Sequence, residues 1–352
     1  MRRLTLVALT FGIVAVAGIS AQQPPTPPTP PPCTDNGDAQ FICGQQAPED
    51  LVVLPGGQWV VAGSYSGAGG VTLIRVSDRM STRAYPAPNA REAFDAKTYK
   101  SCPGVPDAAT KAKFQTHGLS LREGRNGVHT LMTVTHGARE AIDVFTVDAK
   151  TPTPTLTWVG CAVAPDPIGL NSVRWLDDGG FIATNFLPRG NPQGMAAMQK
   201  GEKNGELWEW HTASGWQKVP GSEASGANGI EISPDGKTLY VAAWGSQSFF
   251  RLSRGEKEPK RDEVPLGFRI DNIRWARDGS LLGTGQAGVG GGGGQTIQTV
   301  IVRIDPKTLK VTEILRRPAV PGFSGGTVAV EVGKQLWVGS YTGDRIAIFP
   351  AP

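Results

Sequence analysis

The 352-residue sequence predicts an all-β chain, a six-bladed β-propeller closed by pairing of its N- and C-terminal strands. Three observations predict it. First, glycine (46) and proline (28) are abundant, and long apolar stretches of 3.6-residue period are missing after the first segment. Second, an alternating strand pattern recurs with a polar head residue two places before its first apolar position, in Glu49-Asp50-Leu51, His117-Gly118-Leu119, Asn171-Ser172-Val173, Asn228-Gly229-Ile230 and Asp271-Asn272-Ile273. A sixth copy starts at Gly326-Thr327-Val328, where the head is glycine and offers no side chain. Third, the six starts are 68, 54, 57, 43 and 55 residues apart, a size that suits blades of several short strands.

Each copy continues through turn chemistry into a second strand. Pro55-Gly56-Gly57 precedes Trp59-Val60-Val61, Asp178-Gly179-Gly180 precedes Phe181-Ile182-Ala183, Asp235-Gly236 precedes Leu239-Tyr240-Val241, and Asp278-Gly279 precedes Leu281-Leu282. Asp-Gly and Gly-Gly suit tight hairpins because glycine accepts positive φ. The last copy has room for three strands only, Val328–Val332, Gln335–Tyr341 and Arg345–Phe349. Ala39–Cys43, just before the first head, is placed to supply the fourth and so remove the free edges of an open ring.

The chain is expected to divide into residues 1–21, a signal peptide; 22–38, a Pro/Thr-rich linker; and 39–352, the propeller domain. Arg2 and Arg3 precede an apolar run from Leu4 to Ile19, and Ser20-Ala21 supply small residues for cleavage. An uncleaved anchor is the alternative, since Ile19 is a poor residue three before the cut. No second apolar run follows, so no transmembrane segment is expected after cleavage. The expected location is secreted or periplasmic. The formal net charge of +4 includes the two leading arginines, and no basic run is interleaved with aromatics, so no nucleic-acid partner is expected. Cys33, Cys43, Cys102 and Cys161 form an even set that predicts one or two disulfides, with three pairings open.

In a propeller the innermost strands line a central channel with their starts at one end, so the polar heads would meet at one mouth. Glu49 and Asp271 bring two negative charges, and Asn171, Asn228 and Asn272 bring neutral amide oxygens. An all-oxygen set of that charge suits Ca²⁺, which takes six to eight such ligands in flexible geometry, whereas zinc would want histidine or cysteine. His117 heads the second copy beside this set, and the cation would keep its imidazole neutral and able to accept a proton from water. His136 lies on the following strand of the same copy, within reach of the first ring. His129 and His211 have no such placement and read as surface residues.

Two further patterns are set aside. Gly283-Thr-Gly285-Gln-Ala-Gly288 fits a dinucleotide pattern but runs into Gly290–Gly294 instead of a helix, so it reads as a flexible loop. Gly322-Phe-Ser324-Gly-Gly326 fits a nucleophile elbow, yet a strand follows it and no histidine occurs beyond His211.

Pro48-Glu49-Asp50-Leu51, Thr116-His117-Gly118-Leu119-Ser120, the block from Ala227 to Gly236 and Ile270-Asp271-Asn272-Ile273 resemble the paraoxonase/arylesterase family. That family stands within the wider group of regucalcin- and gluconolactonase-like six-bladed propellers, and the resemblance covers about Cys43 to Phe349. It implies that Glu49, Asn171, Asn228, Asp271 and Asn272 hold a catalytic calcium and that His117 and His136 form a histidine dyad. It also implies a second, structural calcium on Asp50 and the backbone carbonyl of Leu119. The chain departs from the family at Ser172, where paraoxonases have an aspartate, which puts the second ion in doubt. A disulfide tying the two termini is part of the family pattern, but no cysteine lies near Pro352.

The expected function is calcium-dependent hydrolysis of a small-molecule lactone or aryl ester, with a polarised carbonyl attacked by water that His117 activates and His136 supports. The alternatives are a sugar lactonase like the gluconolactonases, against which His117 argues, and a non-catalytic calcium-binding propeller that serves as a binding module. The long connections Ser81–Gln115 and Pro188–Asn204 are expected over the channel mouth, where they would set specificity.

Overall fold

The computed structural model describes residues 30–288 and 296–352. The leading segment 1–21, most of the linker and the run Gly290–Gly294 lie outside the described residues. Residues from Pro31 onward form one compact unit. Its start is tied down by the Arg345 guanidinium, which donates to the carbonyls of Pro31 and Pro32, and by a Cys33–Cys43 disulfide. Residues 31–38, assigned above to the linker, therefore lie against the propeller.

Six antiparallel sheets are arranged as the blades of a β-propeller. Their innermost strands are Leu51–Val53, Gln115–Arg122, Leu170–Trp175, Ala227–Ile232, Arg269–Trp275 and Gly326–Val332. Blade six consists of Gly326–Val332, Gln335–Ser340 and Arg345–Pro350, completed by Gln40–Cys43 from the N-terminal side. Gln40 pairs with Ile348 and Cys43 with Arg345, so the ring is closed as its arithmetic requires. Blade two gains a fifth, two-residue strand, Arg91–Glu92, in parallel on its outer edge. Among the described residues no helix is long and apolar enough to cross a membrane.

The core is a ring of apolar layers between neighbouring blades. Leu176, Ile182 and Leu207 of blade three pack with Ile230, Val241 and Phe250 of blade four. Ile42, Val328 and Trp337 pack with Leu51, Val60 and Ile74 of blade one, which seals the last blade against the first. This explains the continuous apolar runs of second strands such as Trp59–Ser64, buried along their whole length.

One local device recurs. In five blades the pairing of the innermost strand with its neighbour skips two residues: His117-Gly118, Asn171-Ser172, Asn228-Gly229, Asp271-Asn272 and Thr327-Val328. The first four of these bulges are polar heads seen in the sequence. A bulge releases its residues from the ladder and re-aims their side chains. The sixth head is consequently Thr327, not Gly326. Counting back from Val328 as the first apolar position placed it one residue too early, whereas the ladder resumes at Ala329. Thr327 donates its hydroxyl to the Glu49 carbonyl at 2.5 Å.

Three other expectations are corrected. Ser81–Gln115 does not lie over the mouth as far as Cys102: Ser81–Tyr85 is the outer strand of blade one, Ala93 and Asp95 donate backbone N–H groups to Trp158 and Val159, and Tyr99 stacks on Trp210. Cys102 is bonded there to Cys161; beyond it the segment turns back toward the dyad, where Arg139 donates to the Gly104 carbonyl and Pro106, Thr110 and Phe114 line a small cavity with His136. Gly283–Ala287 is no loop, because Leu281–Ala287 is a strand in which Gly283 leaves room for Ile270, and only Gly288 lies in the bend beyond it. His129 is buried, with Nδ1 accepting from the Gly124 N–H at 3.2 Å, so it is structural.

Glycine after His117 and Asn228 follows from how closely the inner strands approach. A Cβ on Gly118 would stand 2.4 Å from the Asn171 carbonyl oxygen and 2.7 Å from Ser172 Cα; on Gly229 it would stand 2.5 Å from the Asp271 oxygen. Gly118→Ala is expected to lower stability by about 1–3 kcal/mol, the usual cost of overpacking against backbone. Urea denaturation measures it, and an unchanged midpoint would contradict the close approach.

Candidate metal and proton-transfer site

The bulges bring the predicted residues to one place. Asn272 Nδ2 donates to Glu49 Oε1 at 2.6 Å across the channel. His117 Nε2 lies 3.7 Å from the same oxygen and 3.4 Å from Asn171 Nδ2. Asn228 hydrogen-bonds Asp271, whose Oδ2 also accepts from Gln286 Nε2 at 2.9 Å. Glu49, His117, Asn171, Asn228, Asp271 and Asn272 are all buried. His136 joins them from the second strand of blade two, with Nε2 3.0 Å from His117 Nδ1.

Burial of this much charge has a cost visible in the titration of the groups. Desolvation, with repulsion from Asp50 and Asp271, holds the Glu49 carboxyl well above its usual range. Desolvation likewise pushes Asp271 up to about 7, against the hydrogen bonds from Gln286 and Asn228. Burial, followed by the neighbouring His136, drives His117 well below the ordinary imidazole value, so its ring is neutral.

Four oxygens of the set have no protein partner: Glu49 Oε2, Asn171 Oδ1, Asn228 Oδ1 and Asn272 Oδ1. They are four of the nine buried side-chain polar atoms without a partner among the described residues. Orphaned acceptors concentrated at one point are what a cation's ligand shell looks like without its cation. The donors fit calcium: oxygens only, two carboxylates, the rest amides. Among the described residues no group of three or more His, Cys, Asp or Glu is placed to hold a metal, which disfavours a nitrogen- or sulfur-bound ion but leaves a carboxylate–amide set intact.

The place implied for a second calcium does not fit one. Asp50 Oδ1 accepts from the Leu51 N–H at 2.8 Å and from Arg274 Nη2, and Oδ2 accepts from the Leu119 N–H at 2.6 Å. The Leu119 carbonyl accepts from Arg174 Nη1 at 2.8 Å and Arg274 Nη2 at 3.3 Å. Both implied ligands are therefore already engaged, and guanidinium groups supply the positive charge. Burial pushes Asp50 up to about 7 against the pull of Arg174 and of the backbone N–H groups. Ser172, where the family carries an aspartate, brings only a hydroxyl.

Sequence reasoning missed these arginines, although their spacing marks them. Each stands three residues after a head, as do Val52, Ser120, Glu231 and Val330, and these six line a cavity of 450 Å³ deeper in the channel. There Arg174 Nε pairs with Glu231 Oε1 at 2.9 Å, so two arginines balance Asp50 and Glu231. Also missed were Gln286, which holds Asp271, and Tyr65, whose ring lies 4.3 Å from that of His117. Glu140 was missed as well; its Oε2 lies 2.9 Å from His136 Nδ1. No periodic pattern marks these last three.

No family model matches the chain, and no curated protein resembles it in sequence. Solved structures do resemble it in fold. Luciferin-regenerating enzyme is 12% identical over 88% of this chain and 92% of its own, with a TM-score of 0.55. Regucalcin from Agrobacterium tumefaciens, a calcium-binding protein, is 12% identical over 88% and 93%, with a TM-score of 0.50. Virginiamycin B lyase from Staphylococcus aureus is 13% identical over 89% and 99%, also at 0.50. The likeness shows the six-bladed propeller fold that the chain shares with them.

Two outcomes are expected. A carboxyl whose folded pKa is raised contributes stability that is complete below its unfolded value and is lost as pH rises through its folded one. For Asp271 that window runs from about 4 to about 7. Metal-free protein should thus lose stability between about pH 4 and about pH 7 relative to Asp271→Asn, and added calcium should reverse the loss; parallel thermal-unfolding profiles would contradict this. Arg274→Met leaves the Asp50 carboxylate buried without its cation, and at pH 8 it should cost about 3–5 kcal/mol in urea unfolding. A cost below about 1 kcal/mol would mean that Arg274 does not neutralise Asp50.

Proposed function

We propose that this chain is an exported, calcium-dependent hydrolase of lactones or aryl esters. The observation that carries the reading is the cluster of partnerless oxygens on Glu49, Asn171, Asn228 and Asn272 beside a neutral imidazole. A propeller of the same fold, regucalcin, is a calcium-binding protein, which supports a calcium here. Glu49, Asn171, Asn228, Asp271 and Asn272 would hold it, and once bound it would supply the positive charge that favours a developing oxyanion.

The remaining chemistry belongs to the chain. The Asn272 amide orients Glu49, and Gln286 holds Asp271 through one oxygen. His117 Nε2 faces the ligand set and accepts a proton from water as the water oxygen bonds to the carbonyl carbon. The same proton passes to the departing alkoxide or phenoxide when the acyl C–O bond breaks. His136, 3.0 Å from His117 Nδ1, fixes the ring plane. The disulfides Cys33–Cys43 and Cys102–Cys161 support an oxidising compartment, in agreement with the leading residues 1–21.

The test is a panel of γ- and δ-lactones and phenyl esters, assayed before and after chelation. Turnover should disappear with EDTA and return with calcium, and His117→Gln should reduce it about 100-fold or more while calcium binding, read by calorimetry, persists. Turnover that survives complete calcium removal would overturn the mechanism. Calcium binding without turnover on any ester would favour a binding module.

A further inference from the structure

A histidine accepts a proton only through the ring nitrogen that carries none, so the dyad works as a base in one tautomer and fails in the other. Glu140 decides between them. It lies in the turn that follows the strand Val128–His136, four residues after His136, and its side chain is buried. Its two oxygens are spoken for: Oε1 accepts from the Leu170 N–H at 2.6 Å, and Oε2 lies 2.9 Å from His136 Nδ1. A carboxylate has no proton to give, so His136 Nδ1 must be the donor. In a neutral ring His136 Nε2 is then the bare nitrogen, and it accepts from His117 Nδ1 at 3.0 Å. His117 Nε2 is left with its lone pair. Its surroundings agree, because Asn171 Nδ2 at 3.4 Å has only N–H to offer, and Glu49 Oε1 at 3.7 Å is beyond hydrogen-bond reach. Tyr65 packs against both rings, with centroids 4.3 Å from His117 and 5.7 Å from His136, and restrains their planes.

We propose that Glu140 is a positioning residue for the hydrolase read above: through His136 it fixes the His117 tautomer so that Nε2 faces the ligand set as a free base. When His117 Nε2 takes a proton from water, no other proton need move. The imidazolium keeps its Nδ1–H on His136 Nε2, and the charge of Glu140 lies beyond that ring. The arrangement follows the logic by which a buried carboxylate orients a catalytic imidazole, extended here by one ring.

The deciding experiment is ¹⁵N NMR of histidine-labelled protein, metal-free and calcium-loaded, with the rings assigned from His117→Gln and His136→Gln. Both rings of the wild type should be protonated at Nδ1 and bare at Nε2. In Glu140→Gln the single side-chain oxygen is held by the Leu170 N–H, so the amide N–H₂ faces His136 Nδ1 and both tautomers should reverse. Turnover should fall about 10²–10⁴-fold in kcat, with KM within about twofold. A wild-type His117 protonated at Nε2, or tautomers unchanged in Glu140→Gln, would overturn the proposal. If Glu140→Gln does not fold, the wild-type spectrum alone decides the tautomer. If no ester is turned over by the wild type, the hydrolase reading fails while the spectra still decide the placement of the protons.

Discussion

The structure depends on a two-residue break in the pairing of its innermost strands. A regular strand alternates its side chains between faces, and in a packed propeller both faces are buried between blades. Six polar residues in regular register would be driven into apolar layers such as the one formed by Leu176, Ile230 and Val241. The bulges at His117, Asn171, Asn228, Asp271 and Thr327 free the heads from the ladder, and the strand resumes its apolar alternation at the next residue but one. Glu49 reaches the same place from just ahead of its strand, held by the Thr327 hydroxyl on its carbonyl. One backbone device thus lets a propeller keep a dry core and a polar axis.

The axis is then organised in layers of opposite electrostatic character. At the heads, two carboxylates and three amides are short of positive charge, and the raised Glu49 and Asp271 carboxyls record that deficit. Three residues further along, Arg174 and Arg274 satisfy Glu231 and Asp50 with side chains of the protein itself. Buried carboxylates need either a bound cation or a resident one. The channel uses the resident kind in its lower layer, which separates a calcium-fitting upper layer from a lower one whose carboxylates are already paired with arginines.

Most of the site was legible in the sequence because the heads precede strands of recurrent pattern. The same register would also have exposed Arg174 and Arg274 as channel residues. Where the reading slipped, the reason is physical. Val328 looked like the first apolar position of blade six, yet it belongs to the bulge, so Thr327 was passed over in favour of Gly326. Gly283 and Gly285 looked like loop residues, yet they are strand glycines forced by close neighbours, and between them and Gly288 lies Gln286, a support of Asp271. His129 lacked any pattern and proved to be buried.

By itself the sequence determined the all-β class, the count of six repeats, the closing role of Ala39–Cys43 and the identity of the five polar heads, because these follow from periodicity and turn chemistry along the chain. Only the tertiary structure decided which groups meet across it: Glu140 on His136, Gln286 on Asp271, Arg274 on Asp50, and Cys102 with Cys161. Those contacts join residues that share no period, or that stand on different blades, and a linear pattern carries no record of which side chains a closed ring will bring together.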